Sequence, residues 1–168
     1  MNNVSLDKKK LGKKSRAEGK AFEPKVYQDL SEKGWIVNRW NNDIEFDIEL
    51  CPASLAEYKK GKLIPAKTKW RHTPRGMMPM NLSPGFPDYM VFKRYTINSD
   101  GSTSLGWYYD IIGVECKING KLDKLEKEKC KWYLDNHIFS KILIAEKTKI
   151  KNKIEIKYKD FKEKYGKD

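Results

Sequence analysis

Three charged residues stand where apolar chain is expected. Asp88 follows Gly85-Phe86-Pro87 and opens the apolar run Tyr89-Met90-Val91-Phe92. Glu115 and Lys117, two apart, close a second run that begins at Tyr109. Charges on buried strands carry a large free-energy penalty unless they are paired or bound to a metal. Two carboxylates and an ammonium brought together would form a site for a hard divalent cation, Mg2+ or Mn2+, and a water. Lys117 would orient or deprotonate that water and offset negative charge on a phosphate. The plainer reading of the same residues is a cross-strand ion pair of Lys117 with Asp88 or Glu115.

The elements around these residues must make them converge. Side chains alternate faces along a strand. Ile112, Val114 and Cys116 therefore share one face, a core face. Gly113, Glu115 and Lys117 share the other, with Glu115 and Lys117 about 7 Å apart. Pro87 to Phe92 reads as a strand with proline at its permitted first position. Asn98-Ser99-Asp100-Gly101-Ser102 is a turn signal, and Trp107 to Lys117 is the returning strand of a hairpin. Upstream, Ser15-Arg16-Ala17-Glu18 has capping-box spacing. Phe22, Val26 and Leu30 follow on one helix face, and Gly34 is a C-cap. Pro24 either kinks that helix or marks the first turn of one that starts late. Trp35 to Trp40 and Ile44 to Leu50 read as strands, Pro52 to Lys60 as a short helix, and residues 59–80 as irregular. Leu122 to Asn136 is a helix, Lys141 to Ala145 a short buried strand, and Ile154 to Tyr158 an edge strand. The order implies a mixed α/β layer, not a regular βαβ winding.

The chain has 168 residues, a formal net charge of +12 and a pI of about 9.5. That length suits one domain. Its nine Tyr and five Trp argue against disorder over most of it. Nucleic acid is the partner such a charge favours; an anionic membrane surface comes second, and a merely lysine-solvated surface is the plain alternative. Residues 1–14 read as a flexible basic arm, 15–158 as the domain with an insertion at about 41–83, and 159–168 as a charged tail. Lys13, Lys14, Arg16, Lys20, Arg39, Lys69, Trp70, Arg71 and Arg75 are the candidate nucleic-acid contacts. No stretch approaches the ~20 apolar residues of a membrane span, and no apolar segment follows the basic N-terminus as in a secretory signal. Three widely spaced cysteines fit reduced thiols in a cytoplasmic setting.

Gly85-Phe86-Pro87-Asp88, an apolar strand, a hairpin and Val114-Glu115-Cys116-Lys117 resemble the core of the PD-(D/E)XK nucleases. Gly19-Lys20-Ala21-Phe22-Glu23 resembles the G-x-x-[FY]-E segment of archaeal Holliday junction resolvases. Gly120 to Trp132 is similar to the helix that follows the motif in the VRR-NUC branch, with Lys129 where that branch usually presents glutamine. Lys141 to Lys147 resembles the last core strand. The resemblance covers roughly residues 15–40 and 84–147. It implies a restriction-endonuclease-like αβββαβ core, with a mixed central sheet flanked by helices. It also implies Mg2+- or Mn2+-dependent hydrolysis of DNA, with selectivity for branched substrates such as junctions or flaps. Asp88, Glu115 and the Cys116 carbonyl would ligate the metal. Glu23 would bind it through water or at a second ion, Lys117 would be catalytic, and Lys129 would be a second cation near the phosphate. A homodimer is implied. Other readings are a restriction-type or mobile-element nuclease on the same core, and a non-catalytic nucleic-acid-binding protein.

Overall fold

A computed structural model describes residues 3–50, 57–67, 70–74, 76–79, 85–99, 103–150 and 153–166; within them, the side chains of 3–16, 49–50, 57–58, 71, 79, 97–99, 103–105, 150 and 153 are outside the description. The first helix, α1, spans Asn3–Glu32. Its stripe of Phe22, Val26 and Leu30 is buried, and the helix passes through Pro24. It closes at Gly34 (φ 78°). Gly34 N–H donates to the Ser31 carbonyl and Trp35 N–H to that of Leu30, a Schellman closure that leaves the carbonyls satisfied. The helix does not begin at the Ser15 capping box. Its backbone is helical from Asn3, so residues 3–14, expected as an arm, continue α1. Lysine and leucine in that stretch are good helix formers, and a capping sequence does not stop a helix already under way.

Five strands form the central sheet: β1 (Ile36–Arg39), β6 (Tyr89–Ser99), β7 (Thr103–Cys116), β8 (Lys141–Ile150) and β9 (Lys153–Asp160). They lie in the order β1-β6-β7-β8-β9. Only β7 and β8 are parallel; the other neighbours are antiparallel. The β7–β8 crossover carries helix α2 (Lys124–Asp135). Two hairpins stand between β1 and β6: β2 (Asn42–Leu50) with β3 (Glu57–Pro65), and β4 (Trp70–Thr73) with β5 (Gly76–Pro79). A last helix, α3, spans Phe161–Tyr165. The protein is thus mixed α/β, with helices on both faces of a mixed sheet.

Two cores follow from that layering. On one face, Phe22, Val26 and Leu30 of α1 pack on Tyr89, Val91, Ile112, Val114 and Ala145. On the other, Cys130, Tyr133 and Leu134 of α2 pack with Phe139, Ile142, Ile144, Phe161 and, from β2, Ile44.

The stretch expected to be irregular is largely paired strand. Glu57–Lys60, expected in a helix, stands opposite Asp47–Leu50; residues 52–56 of that expected helix lie outside the description. Pairing across the hairpin supplies what local propensity does not, because strand preference depends on the facing neighbours. Trp70–Thr73 and Gly76–Pro79 are likewise a hairpin, with Gly76 at φ 108°. The expected tail also has structure. β9 runs to Asp160, whose side chain accepts from Lys162 N–H at 2.7 Å and caps α3. Phe161 is buried behind that cap.

Candidate functional site

The segment before β6 carries Asp88 to the sheet. Gly85 N–H donates to the Trp40 carbonyl at 2.9 Å, and Phe86 N–H to the Asn42 carbonyl at 2.9 Å. Trp40 N–H returns a bond to the Asp88 carbonyl at 3.2 Å. A Cβ on Gly85 would lie 2.5 Å from the Trp40 oxygen and would overlap that of Asn42. Only glycine lets these backbones run side by side. The Phe86–Pro87 peptide is cis. Pro87 reaches β7 at Gly113, where an added Cβ would be 2.9 Å from Pro87 Cγ and 3.2 Å from the Phe139 ring. The face that carries Gly113, Glu115 and Lys117 is therefore closed by apolar groups around Gly113 and narrows to its acids.

Asp88 and Glu115 are tied to each other's strands. Cys116 N–H donates to Asp88 Oδ2 at 2.8 Å, and Asp88 N–H donates to Glu115 Oε2 at 3.2 Å. Lys117 Nζ lies 3.1 Å from Glu115 Oε1 and is also bonded to Glu126 Oε1 on α2. Glu126 is fixed in turn by a capping box: its N–H donates to Asp123 Oδ1 at 2.8 Å, and its Oε2 accepts from Asp123 N–H at 2.9 Å. Asp88 and Glu115 are 9% and 4% exposed. Both acids are deep, yet only Glu115 is paired with an ammonium, that of Lys117. Among the described residues Asp88 has no ion-pair partner, and its hydrogen bonds come from Cys116, through the backbone N–H and the side chain.

The electrostatics follow from that burial. Desolvation pushes Asp88 up to about 6, against the bond from Cys116 N–H, and Glu23 adds to the rise. Burial and then the charge of Asp88 push Glu115 well above the ordinary glutamate value. Burial alone would lower the Lys117 value, but Glu115 and Glu126 together raise it, so its ammonium keeps the proton. Glu23 and Glu126 flank the pair, against the two cations Arg39 and Lys117. With every group ionised, this corner of a strongly basic chain is two negative charges in excess.

The structure gathers Glu23, Asp88, Glu115, Cys116 and Lys117. Glu23, on α1 beside the buried Phe22, sits at the rim with Arg39 Nη2 3.4 Å from its Oε2. Arg39, expected at nucleic acid, also lies over the Tyr89 ring. Lys129 is placed elsewhere: its Nζ is 2.5 Å from Asp43 Oδ1 on β2 and 5.6 Å from the centre of the Phe86 ring. It ties α2 to the β2–β3 hairpin instead of joining the acids. Lys20 and Trp70 are exposed. Lys69 and Arg75 lie outside the described residues, and the side chains of Lys13, Lys14, Arg16 and Arg71 are not described. Glu126 is the residue that sequence reasoning missed. Asp123-x-x-Glu126 before a helix was a readable capping signal, but nothing in it pointed to Lys117.

The insertion is an element of the fold as well as a surface. An added Cβ on Gly61 of β3 would overlap the Trp132 indole on α2. Lys59 Nζ reaches Glu128 Oε2 on α2 at 2.7 Å, and Lys67 reaches Glu45 Oε1 at 2.8 Å. Glu45 faces Lys62 and Asp47 faces Lys60 across the hairpin. Much of the basic charge read in this stretch is thus matched by local acids.

No family model, curated protein or solved structure matches this chain. Among the described residues, no cluster of three or more His, Cys, Asp or Glu side chains has metal-holding geometry, and no helix is long and apolar enough to cross a membrane.

Proposed function

We propose that this protein is a divalent-cation-dependent nuclease that hydrolyses DNA phosphodiester bonds on a restriction-endonuclease-like core. The buried Asp88–Glu115 pair carries this reading. Two adjacent carboxylates, both held against ionisation by burial and with an ammonium paired to Glu115 alone of the two, match the needs of a hard dication. The order α1, β1, β6, β7, α2, β8 supports the core assignment, with the two hairpins as the insertion.

The donor set fits Mg2+ or Mn2+. Asp88, Glu115 and the Cys116 backbone carbonyl would hold the ion, with Glu23 at the rim. Two protein carboxylates and one carbonyl leave the remaining positions to water and substrate oxygens, as Mg2+ prefers. When bound, the ion supplies positive charge at the phosphate and lowers the pKa of a water. Lys117 stays protonated between Glu115 and Glu126, so it acts as a fixed cation that donates to the attacking water or to a phosphate oxygen. Proton abstraction by this lysine is disfavoured. Glu126 is its positioning residue. Away from the acids, Lys124, Lys127 and Lys131 line a cleft beside Phe161, Tyr165 and Glu128, whose charge Lys59 meets; a phosphate backbone finds cations there without sequence readout. Selection of branched DNA by shape, by a homodimer, is consistent with this division.

The test is incubation of a four-way junction, a flap and a linear duplex with Mg2+, with Mn2+ and with EDTA. Cleavage that needs the metal is expected, and Asp88→Ala and Glu115→Ala should each abolish it while DNA binding persists. Binding without cleavage of any substrate under either metal would leave only the non-catalytic reading.

A further inference from the structure

The β6–β7 hairpin runs out beyond the sheet that holds the acids. β1 covers β6 only along Tyr89–Phe92, and β8 covers β7 only along Ile112–Cys116. From Lys93 outward the two strands pair only with each other. Residues paired across an antiparallel ladder share a face. Ile111 with Phe92, Tyr109 with Arg94 and Trp107 with Thr96 therefore continue the face that carries Glu115. This strip is open: Trp107 is 64%, Tyr109 48% and Ile111 40% exposed. Its groups are ordered against one another. The Arg94 guanidinium lies 5.5 Å from the centre of the Trp107 ring, and Phe92 meets Tyr109 edge-on at 5.9 Å.

We infer that this strip is a stacking surface for unpaired nucleotides, resting on the nucleic-acid reading above. Large aromatics left in water mark a binding surface, and two occupants are chemically reasonable. A second copy of the chain would meet the strip with the same strip. Among its described side chains the strip holds a cation and no carboxylate, so an isologous contact would bury Arg94 without an acid to receive it. A polyanion with flat π-faces supplies both missing partners: phosphate for Arg94, and bases for Trp107 and Tyr109. Bases inside a duplex are already stacked on their neighbours and present no free face. The strip therefore selects a single-stranded tail, flap or open junction centre. Tyr109 and Trp107 are six and eight residues from Glu115, about 20 and 26 Å along the strand. At ~3.4 Å per nucleotide step, the stacked bases would lie on the order of 6–8 nucleotides from the phosphate at the acids.

Binding of the full chain in EDTA to a blunt duplex of about 20 base pairs, and to the same duplex with a single-stranded tail of about 10 nucleotides, tests this. The wild type should prefer the tailed ligand. The double variant Trp107→Ala with Tyr109→Ala should lose roughly 30-fold or more on the tailed ligand, at about 1–3 kcal/mol for each stacked base, and bind the blunt duplex as the wild type does. Trp107→Phe should keep most of the preference, because it keeps a ring. The proposal is overturned by equal losses on both ligands, by no loss on either, or by sedimentation showing that the double variant turns a dimer into a monomer. Mg2+-dependent cleavage of the blunt duplex is scored separately. A cleaving enzyme without tail preference sinks the strip alone, and a chain that binds neither DNA sinks the nucleic-acid reading with it.

Discussion

Asp88→Asn should make the metal-free protein more stable while removing its activity. Burial raises the Asp88 carboxyl from the ordinary value of 3.8 to about 6 in the folded chain. The folded state therefore holds this proton more tightly than the unfolded state. The resulting stability is fully present below about pH 4 and is lost as pH rises through about 6. Two units at ~1.36 kcal/mol each amount to about 3 kcal/mol of destabilisation at neutral pH and above. Asparagine is neutral and of similar shape, and its Oδ1 can still accept from Cys116 N–H, the bond that holds Asp88 Oδ2 at 2.8 Å. Removing the charge also relieves Glu115, which Asp88 pushes in the same direction. In urea denaturation with EDTA, the variant should exceed the wild type by up to ~3 kcal/mol at about pH 8, and the two should converge near pH 4. Mg2+ at about 100 times its dissociation constant should then raise wild-type stability by ~2.7 kcal/mol and leave the variant nearly unchanged. A variant no more stable than the wild type at pH 8 would refute the claim that this acid is held against its own ionisation.

Other substitutions separate the two lysines and the supporting elements. Lys117→Met should lower the single-turnover cleavage rate by roughly 100-fold or more, as expected for loss of a fixed cation. Lys129→Met should leave that rate near wild type and cost about 1 kcal/mol of stability in denaturation, because its partner is Asp43 on the hairpin. Gly61→Val should destabilise by ~1–3 kcal/mol in thermal or urea melts, since the added atoms meet the Trp132 indole. Deleting residues 1–14 should weaken DNA binding and reduce the slope of log K against log salt by roughly 0.9 for each phosphate that is no longer neutralised; an unchanged slope would remove that segment from the interface.

The β6–β7 hairpin was legible because its signals are local and agree: period-two alternation, a proline at the strand start and a polar turn all specify β6 and β7. The first helix was legible from Phe22, Val26 and Leu30, but its start was not. A capping box states where a helix can begin, not where one must. The β2–β3 hairpin was half legible. The alternation of Ile44 to Leu50 marked one strand, whereas Glu57–Lys60 becomes strand only by facing Asp47–Leu50. That partner lies on the facing strand and leaves no pattern in the segment itself. Asp88, Glu115 and Lys117 were brought together as expected, because strand parity and hairpin pairing are enough to do it. Glu126 and Lys129 are one helical turn apart; the sequence suggested Lys129 as a second cation near the phosphate and did not show Glu126 as the partner of Lys117. Which of them meets Lys117 depends on how α2 is rotated over the sheet, and Trp132 against Gly61 is part of what sets that rotation.

The reciprocal bonds between Asp88 and Cys116 and between Glu115 and Asp88 join each acid to main chain on the other strand. The spacing of the acids is therefore a property of the β6–β7 register and needs no particular neighbouring side chain. A slip of one residue would break both bonds together and turn Glu115 toward the α1 core. The paired stretch outward from Lys93 resists that slip, because the rungs from Lys93–Asp110 to Ile97–Gly106 would have to shift together. Much of the hairpin's surface can thus change without moving the acids, whereas inserting or deleting one residue within Tyr89–Phe92 or Ile112–Val114, where β1 and β8 also pair, would dismantle the site while leaving all of its residues present.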